Sequence, residues 1–268
     1  TISKATISKA TISNQYKQAN MADMISLEKQ KTYAINGNLT LTPEQEDKFL
    51  YKKIEKTITL TFGDAGENHA GMEMIGKIGE IGSGFSKIDL MGIKTKMEEN
   101  GYDCEYTKLN DLYNFADEDK VQDAYILVIR GGINYFIEKE AGQMMEEMNS
   151  FEWDDKYFDT RRQRVLNKHA RTNVCFGDIS IEPDYENKKG RIVGYDSVPL
   201  LKLIKEKLPN IVGEKGENLV CEGNNYKDIN KCGIGWHGDS ERKKVIGFRL
   251  GATMVLKFKW YKNITNQQ

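Results

Sequence analysis

The chain is poor in cysteine, histidine and long apolar runs, and each shortage excludes a class of protein. Its 4 cysteines form no C-x-x-C pair and are too few for a disulfide framework, so we expect an intracellular, reducing compartment such as the cytoplasm, the nucleus or a virus particle. The longest apolar run, residues 124–129, is the length of a strand, whereas a membrane-spanning helix needs roughly 18 apolar residues. We therefore expect neither a secreted disulfide scaffold nor a membrane protein.

The composition is that of a globular protein, and its charge is nearly balanced. Hydrophobic residues make up 39% of the 268 residues, which is enough for a folded core, and the net charge is −1. The whole protein therefore has no strong electrostatic attraction for nucleic acid. Residues 161–171, however, contain five basic and no acidic side chains. This run is interpreted either as a solvated basic face or as a surface that contacts nucleic-acid phosphates.

The first half of the sequence predicts a low-complexity tail followed by a small domain. Residues 1–20 repeat the motif T-I-S-K-A, which cannot bury a core, and Met21 is a plausible native start. Residues 21–150 are expected to form an α/β domain with strands at 57–62 and 124–129. Between the strands, Ser86 and Asp89 have the spacing of a capping box that begins a helix, and a second helix is expected over 137–148.

The second half, residues 151–268, predicts a β-rich domain that contains one helix. Residues 197–208 have apolar side chains at helical spacing with proline in the first turn, and the helix is expected to end before Pro209. Short β-prone runs at 218–222, 232–236, 244–250 and 254–261 favour an antiparallel double-sheet jelly roll. The expected fold class is thus α+β, with a jelly roll that is incomplete at the C-terminus and preceded by the smaller α/β domain.

A histidine and a carboxylate two residues apart, His237 and Asp239, follow a β-like run. In an extended strand such residues point to the same face, so an imidazole nitrogen and a carboxylate oxygen could bind one cation. Two histidines and one carboxylate, with open positions, are the ligand set typical of non-haem Fe(II) oxygenases. Residues 233–242 therefore present two of the three ligands of such a site.

The surrounding sequence strengthens this interpretation. Asn224 and Tyr226 form an N-x-Y pair upstream, and residues 244–252 predict a strand that ends in Leu-Gly-Ala downstream. Further back, residues 171–178 look like an early strand that ends in Gly-Asp, and residues 198–201 look like a proline-led helix start. This order resembles the AlkB-like branch of the Fe(II)/2-oxoglutarate dioxygenases over about residues 168–260.

The resemblance implies the cofactors Fe(II) and 2-oxoglutarate and a role for each matching residue. His237 and Asp239 would bind the iron, and Asn224 and Tyr226 would hydrogen-bond 2-oxoglutarate. Glu241 and Arg171, the latter at the end of the basic run, would face the substrate. The implied reaction is hydroxylation or oxidative dealkylation of a nucleobase or a similar substrate.

The sequence departs from the family at the third iron ligand. The family takes its distal histidine, and the arginine that binds 2-oxoglutarate, from later strands, but no histidine follows His237 here. Of the other two histidines, His69 lies in a polar turn and His169 in the basic run. The chain is interpreted as a fragment or shortened form, or as a degenerate relative. The alternative function is a catalytically incomplete jelly-roll protein with a structural, assembly or nucleic-acid-binding role, in which Asp239 and Ser240 cap a turn.

Overall fold

The computed structural model describes residues 55–115, 121–139 and 141–260. The repeat at residues 1–20, the candidate start Met21 and residue 261 of the last expected strand lie outside this part of the chain. The described residues combine helices with strands around one five-stranded sheet. The expected mixture of α and β structure is therefore confirmed.

The central sheet joins strands that are far apart in the sequence. Numbered in chain order, its strands lie side by side as β11 (Val245–Gly251), β1 (Thr57–Gly63), β10 (Val220–Tyr226), β8 (Thr172–Gly177) and β9 (Ile192–Gly194). All neighbours are antiparallel except β8 and β9, which are parallel. On β1, Leu60 is opposite Gly223 of β10 and Phe248 of β11. The strand β1 thus separates the two later strands.

This position of β1 corrects the expected domain division. The sequence assigned β1 to the domain of residues 21–150, but the strand pairs along its whole length with β10 and β11, which belong to residues 151–268. The boundary after residue 150 therefore divides the strands of one sheet. Alternation of side chains along β1 predicts a strand, but it contains no information about which distant strand becomes its partner.

Four α-helices lie in the described residues: α1 (Lys87–Glu99), α2 (Ile133–Ile137), α3 (Ala141–Glu147) and α4 (Pro199–Val212). The expected capping box of α1 is present, because the Ser86 side chain accepts a hydrogen bond from the Asp89 N–H and Asp89 accepts one from the Ser86 N–H. The helix expected over 137–148 is wrong as one element. Glu138 has a left-handed backbone (φ +53°) and ends α2 before α3 begins.

Helix α4 has proline in its first turn as expected, but it continues through Pro209. The loss of one N–H donor near the end of the helix is offset by burial of Leu208 and Ile211, which are 1% and 5% exposed. Gly213 follows with φ +69° and donates its N–H to the carbonyl of Pro209. The helix therefore ends at a glycine rather than at the proline.

One face of the sheet is apolar and carries the core. Ile58, Leu60 and Phe62 of β1 are all 0% exposed, and they pack with Val174 and Phe176 of β8 and with side chains of α2, α3 and α4. Full burial of each large apolar side chain contributes about 1.5–3 kcal/mol. Met144 of α3 and Met148, the residue just after this helix, are also core, since both are 0% exposed.

The opposite face of the sheet is polar although it is also buried. Alternation along β10 places Glu222, Asn224 and Tyr226 on this face, where they are 4%, 7% and 8% exposed. Asn173 and Cys175 of β8 lie opposite Asn224 and Glu222 in the antiparallel register. This polar face positions the candidate site.

Three two-stranded hairpins complete the described strands. They are β2–β3 (Ala65–Glu67 and Met74–Gly76), β4–β5 (Cys104–Lys108 and Tyr125–Ile129) and β6–β7 (Lys156–Asp159 and Arg164–Asn167). The β2 strand lies over the polar face, because a Cβ on Gly66 would meet Cβ of Glu222 at 3.5 Å and Sγ of Cys175 at 3.9 Å. The β6–β7 hairpin reaches the same face through Lys168, which donates a hydrogen bond to Asn173.

Two expected strands are absent from the described residues. Residues 232–236 and 254–260 have no strand, although both are β-prone. The first follows a turn in which Cys232 donates its N–H to the carbonyl of Asp228 (2.7 Å), and Gly233 donates to Ala170 (3.0 Å). In the second, Arg249 donates to the carbonyl of Met254 (3.0 Å). Turn hydrogen bonds and one long-range hydrogen bond replace a strand ladder there, so β-propensity alone predicted the wrong element.

No helix within residues 55–115, 121–139 and 141–260 is long and apolar enough to cross a membrane. The four cysteines are free.

Candidate functional site

The residues expected to form a site meet where an irregular segment, residues 233–243, lies beside the polar face of the sheet. His237 and Asp239 are in this segment, Asn224 and Tyr226 are on β10, and Arg171 directly precedes β8. The segment is not a strand, so the side chains of His237 and Asp239 converge through the local turn rather than through strand alternation.

The imidazole of His237 is oriented by the backbone. Its Nδ1 lies 2.8 Å from the carbonyl oxygen of Gly235, and because a carbonyl only accepts, Nδ1 carries the proton. In the neutral ring the lone pair is then on Nε2, which lies 3.5 Å from Oδ1 of Asp239. A histidine whose other nitrogen donates to a carbonyl is the usual arrangement of a metal-binding imidazole.

Arg242 binds three carboxylates around the pair. Its guanidinium lies 3.2 Å from Glu222, 3.2 Å from Asp239 and 3.4 Å from Glu241, and the arginine side chain is 10% exposed. Burial acts to lower the pKa of Arg242, but the three carboxylates raise it more, so the pKa lies above its usual value. Arg242 is therefore a fixed positive charge at the centre of the site.

A chain of hydrogen bonds continues from Glu222 along the polar face. Oε1 of Glu222 accepts from Nδ2 of Asn224 (2.9 Å), and Oδ1 of Asn224 accepts from Nε of Arg171 (2.5 Å). Burial raises the pKa of the neighbouring Tyr226, while Arg171 and Arg249 act to lower it. The tyrosine is therefore a neutral hydroxyl that interacts electrostatically with two guanidinium groups.

The structure thus brings the six residues selected from the sequence into one connected set, with Tyr226 joined through its electrostatic interaction with Arg171. Two residues that link the set, Glu222 and Arg242, were missed. The period-2 alternation of β10 gives a signal for Glu222, since it places this residue on the same face as Asn224 and Tyr226. Arg242 has no such signal, because its contact with Glu222 depends on the path of the irregular segment.

Two further titratable groups, Glu67 and Cys175, lie near Glu222 and Arg242, but they form no cluster of metal ligands with the other described residues. Glu67, at the end of β2, has a raised pKa because of burial first and then because of Glu241 and Glu222. The thiol of Cys175, opposite Glu222, has a pKa raised far above its usual value by burial. Cys175 is therefore a neutral, unreactive thiol beside the carboxylate.

The two remaining histidines do not supply a third ligand. His69 stacks on Tyr157, with ring centroids 3.7 Å apart, and burial lowers its pKa. His169 is exposed. Among the residues that the structure describes, no group of three or more His, Cys, Asp or Glu side chains could hold a metal ion. The described site therefore has two candidate ligands.

The basic run divides into an exposed part and a buried part. Arg161, Arg162 and Arg164 are exposed at the turn of the β6–β7 hairpin, whereas Lys168 and Arg171 turn towards the polar face. The run thus presents three of its five cations to solvent.

Lys168 belongs to a second polar cluster beside the site. Its ammonium donates to the side chains of Asn68 and Asn173, and Asn68 in turn donates to Asp154 (2.6 Å). Burial lowers the pKa of Lys168 to about 8, against the opposing effect of Asp154. The cluster ties the β2 end and the β7 end to β8.

An apolar side chain borders the site on the solvent side. Trp236 directly precedes His237 and is 42% exposed, and the ammonium of Lys259 lies 4.8 Å from the centre of its ring. The edge of the site therefore offers an aromatic surface together with a cation.

Comparison with known proteins finds a similar chain in a giant virus. The uncharacterized protein R156 of Acanthamoeba polyphaga mimivirus is 43% identical over 209 residues, which span 78% of this chain and 79% of the relative. No family model matches the sequence, and no solved structure matches the chain. The similarity extends well beyond the segment of about residues 168–260 that resembles the oxygenases.

Proposed function

The chain belongs to the same family as mimivirus protein R156, and we propose that it is an Fe(II)/2-oxoglutarate-dependent dioxygenase of the AlkB-like type. The observation that supports this proposal is the arrangement of the His237 and Asp239 side chains. Nε2 and Oδ1 lie 3.5 Å apart, and Nδ1 of the histidine is engaged by the carbonyl of Gly235. Two ligand atoms bound to one cation at about 2.1 Å would lie about 3.0–3.4 Å apart, so the pair needs only a small adjustment.

The donor chemistry of the site fits an iron ion in part. Imidazole and carboxylate are two of the three ligand types of the expected iron site, and His237 and Asp239 would hold the metal. Bound Fe(II), with 2-oxoglutarate and O₂, would supply the oxidation of a substrate C–H bond. The third protein ligand is not among the described residues, so the proposal concerns the half-site that they form.

The other residues of the site would bind and orient the reactants. Asn224 and Tyr226 present an amide and a hydroxyl on the polar face, and Arg171 adds a guanidinium for the carboxylates of 2-oxoglutarate or for an anionic substrate. Glu241 is held by Arg242 at the substrate side. We further propose that a nucleobase or a similar substrate would lie against Trp236.

The finer fold belongs to the same proposal. A jelly roll needs a second sheet over the polar face, and the β2–β3 and β6–β7 hairpins both contact this face. The five-stranded sheet would then be one layer and the hairpins part of the other. The four free cysteines and the viral relative support a reducing compartment or a virus particle.

The test is calorimetric titration of the anaerobic protein with Mn(II), with and without 2-oxoglutarate. We expect binding that 2-oxoglutarate strengthens and that His237→Ala abolishes, because the variant loses an oriented imidazole ligand. His169→Ala is the matched control, since this exposed histidine lies outside the site, and it should bind as the wild-type chain does. Unchanged affinity in His237→Ala would overturn the assignment.

A second candidate function, nucleic-acid binding without catalysis, is favoured by the three exposed arginines at the β6–β7 turn. If these arginines contact phosphates, binding should weaken as the salt concentration rises. Removing each contact should then reduce the magnitude of the slope of log K against log salt concentration by about 0.7 for a single strand. Fluorescence anisotropy of a labelled single strand, with wild-type protein and the variant Arg161→Ala/Arg162→Ala/Arg164→Ala, measures this. Equal affinity and slope for both proteins would exclude the arginines as a binding surface.

A further inference from the structure

We propose that Arg242 is a positioning residue that makes metal binding by His237 and Asp239 depend on Glu222 in the central sheet. This inference rests on the proposed function of the pair. The guanidinium joins a ligand in an irregular segment to a residue in a five-stranded ladder. It would therefore hold the segment in the one arrangement in which both ligand atoms face the same point.

The contacts of Asp239 divide its two oxygens between two partners. Oδ2 lies 3.2 Å from Nε of Arg242, and Oδ1 lies 3.5 Å from Nε2 of His237. The contact with Arg242 is an ion pair without a hydrogen bond, since Nε has no hydrogen-bond partner among the described residues, and it leaves the other oxygen of Asp239 facing the imidazole. A metal ligand whose second oxygen is fixed by a neighbouring group is oriented before the ion arrives, and such outer contacts typically change metal affinity 10–100-fold.

The other end of the guanidinium is anchored in a rigid element. Its Nη1 lies 3.2 Å from Oε2 of Glu222, whose strand β10 is paired with β1 on one side and β8 on the other. Glu222 also accepts from Asn224, which accepts from Arg171. The same contacts thus connect the proposed metal ligand to the proposed cosubstrate residues.

The backbone beneath Arg242 is shaped to receive its side chain. A Cβ on Gly63, the last residue of β1, would lie 2.6 Å from Cδ of Arg242 and 2.8 Å from the carbonyl oxygen of Lys244. The arginine stem therefore occupies space that only glycine leaves open. Alanine at this position would displace both the arginine stem and the backbone at Lys244.

The experiment measures Mn(II) affinity and thermal stability for four proteins: wild-type, Arg242→Met, Arg242→Lys and Glu222→Gln/Arg242→Met. We expect Mn(II) to bind Arg242→Met 10–100-fold more weakly. Lysine should restore part of the affinity, because one ammonium cannot span Asp239 and Glu222 as the fork of arginine does. The double variant removes the most buried of the three carboxylates that Arg242 pairs with, so it should recover part of the stability without recovering affinity.

A further protein is the matched control. Arg130→Met removes an arginine whose side chain is 65% exposed and lies outside the site, and it should leave affinity unchanged. Recovery of affinity together with stability in the double variant would show that Arg242 acts only in folding, and it would overturn the inference.

A metal-free readout completes the test. The ring nitrogen resonances of His237, recorded by NMR without metal, should change in Arg242→Met because Asp239 is no longer held beside the imidazole. Unchanged resonances would overturn the inference. Wild-type protein that binds no Mn(II) would overturn the proposed function together with it, whereas binding that is lost in His237→Ala but retained in all Arg242 variants would overturn the positioning role alone.

Discussion

The two faces of the central sheet are both buried, but they are stabilised in opposite ways. On the apolar face, Ile58, Leu60 and Phe62 contribute through area removed from water, which is non-directional and nearly additive. On the polar face, Glu222 depends on Arg242, and buried charges are tolerated only while each partner remains. The apolar face can therefore adapt to a substitution, whereas the polar face requires each of its charged side chains to be present.

The largest expected effect is on the apolar face. Phe62→Ala should lower the free energy of unfolding by about 3–5 kcal/mol, because it leaves a cavity against Phe248, whose ring centroid is 5.9 Å away. Denaturant unfolding measures the change. Ile81→Ala, at a side chain that is 97% exposed, is the control and should stay within about 0.5 kcal/mol. Similar losses in both variants would contradict the placement of the core.

The polar face can be tested with two carboxylates that share one arginine. Asp154 and Glu182 both pair with Arg191, but their side chains are 0% and 80% exposed. Asp154→Ala should cost about 3 kcal/mol, because it leaves buried donors of Asn68 and Tyr185 without an acceptor. Glu182→Ala should cost at most about 1 kcal/mol in the same unfolding assay. Equal losses of unfolding free energy in the two variants would show that the contribution of these contacts to stability does not depend on burial.

A smaller, pH-dependent effect is expected from Lys168. Its pKa is lowered from 10.5 to about 8 in the folded protein, so between these values the unfolded chain binds the proton more strongly. Stability should therefore rise with pH across this window, by at most about 1.4 kcal/mol per pH unit from this group. Below about pH 8 the cost of the buried charge is fully present.

The difference in unfolding free energy between wild-type protein and Lys168→Met isolates this contribution. The wild-type chain should gain stability relative to the variant as the pH rises from about 8 to 10. A difference that is constant over this range would show that Lys168 titrates as an exposed lysine does.

Local patterns in the sequence predicted local structure well. The alternation of residues 57–62 gave a strand, and the spacing of Ser86 and Asp89 gave a capped helix, because both signals depend on neighbours in the chain. The spacing of His237 and Asp239 also placed two side chains together, although by a turn rather than a strand. Such features are encoded within a few residues.

Long-range structure was not predictable in the same way. No local pattern indicated that β1 lies between β10 and β11, since the pairing energy arises between segments that are distant in the chain. Arg242 was overlooked for the same reason. Its role depends on an ion pair with Glu222 that forms only when the irregular segment lies beside the sheet. Burial of a charged pair is a tertiary property, and composition does not reveal it.

The central place of β1 also affects how the chain can fold as it is synthesised. β1 ends at Gly63, but the strand that completes its second edge begins only at Val245. Its other partner, β10, begins at Val220, so at ribosomal rates β1 has neither partner for on the order of 10 s and remains open to other chains during that time. Protection of a nascent β1 during translation would therefore determine how much of the protein reaches its native sheet.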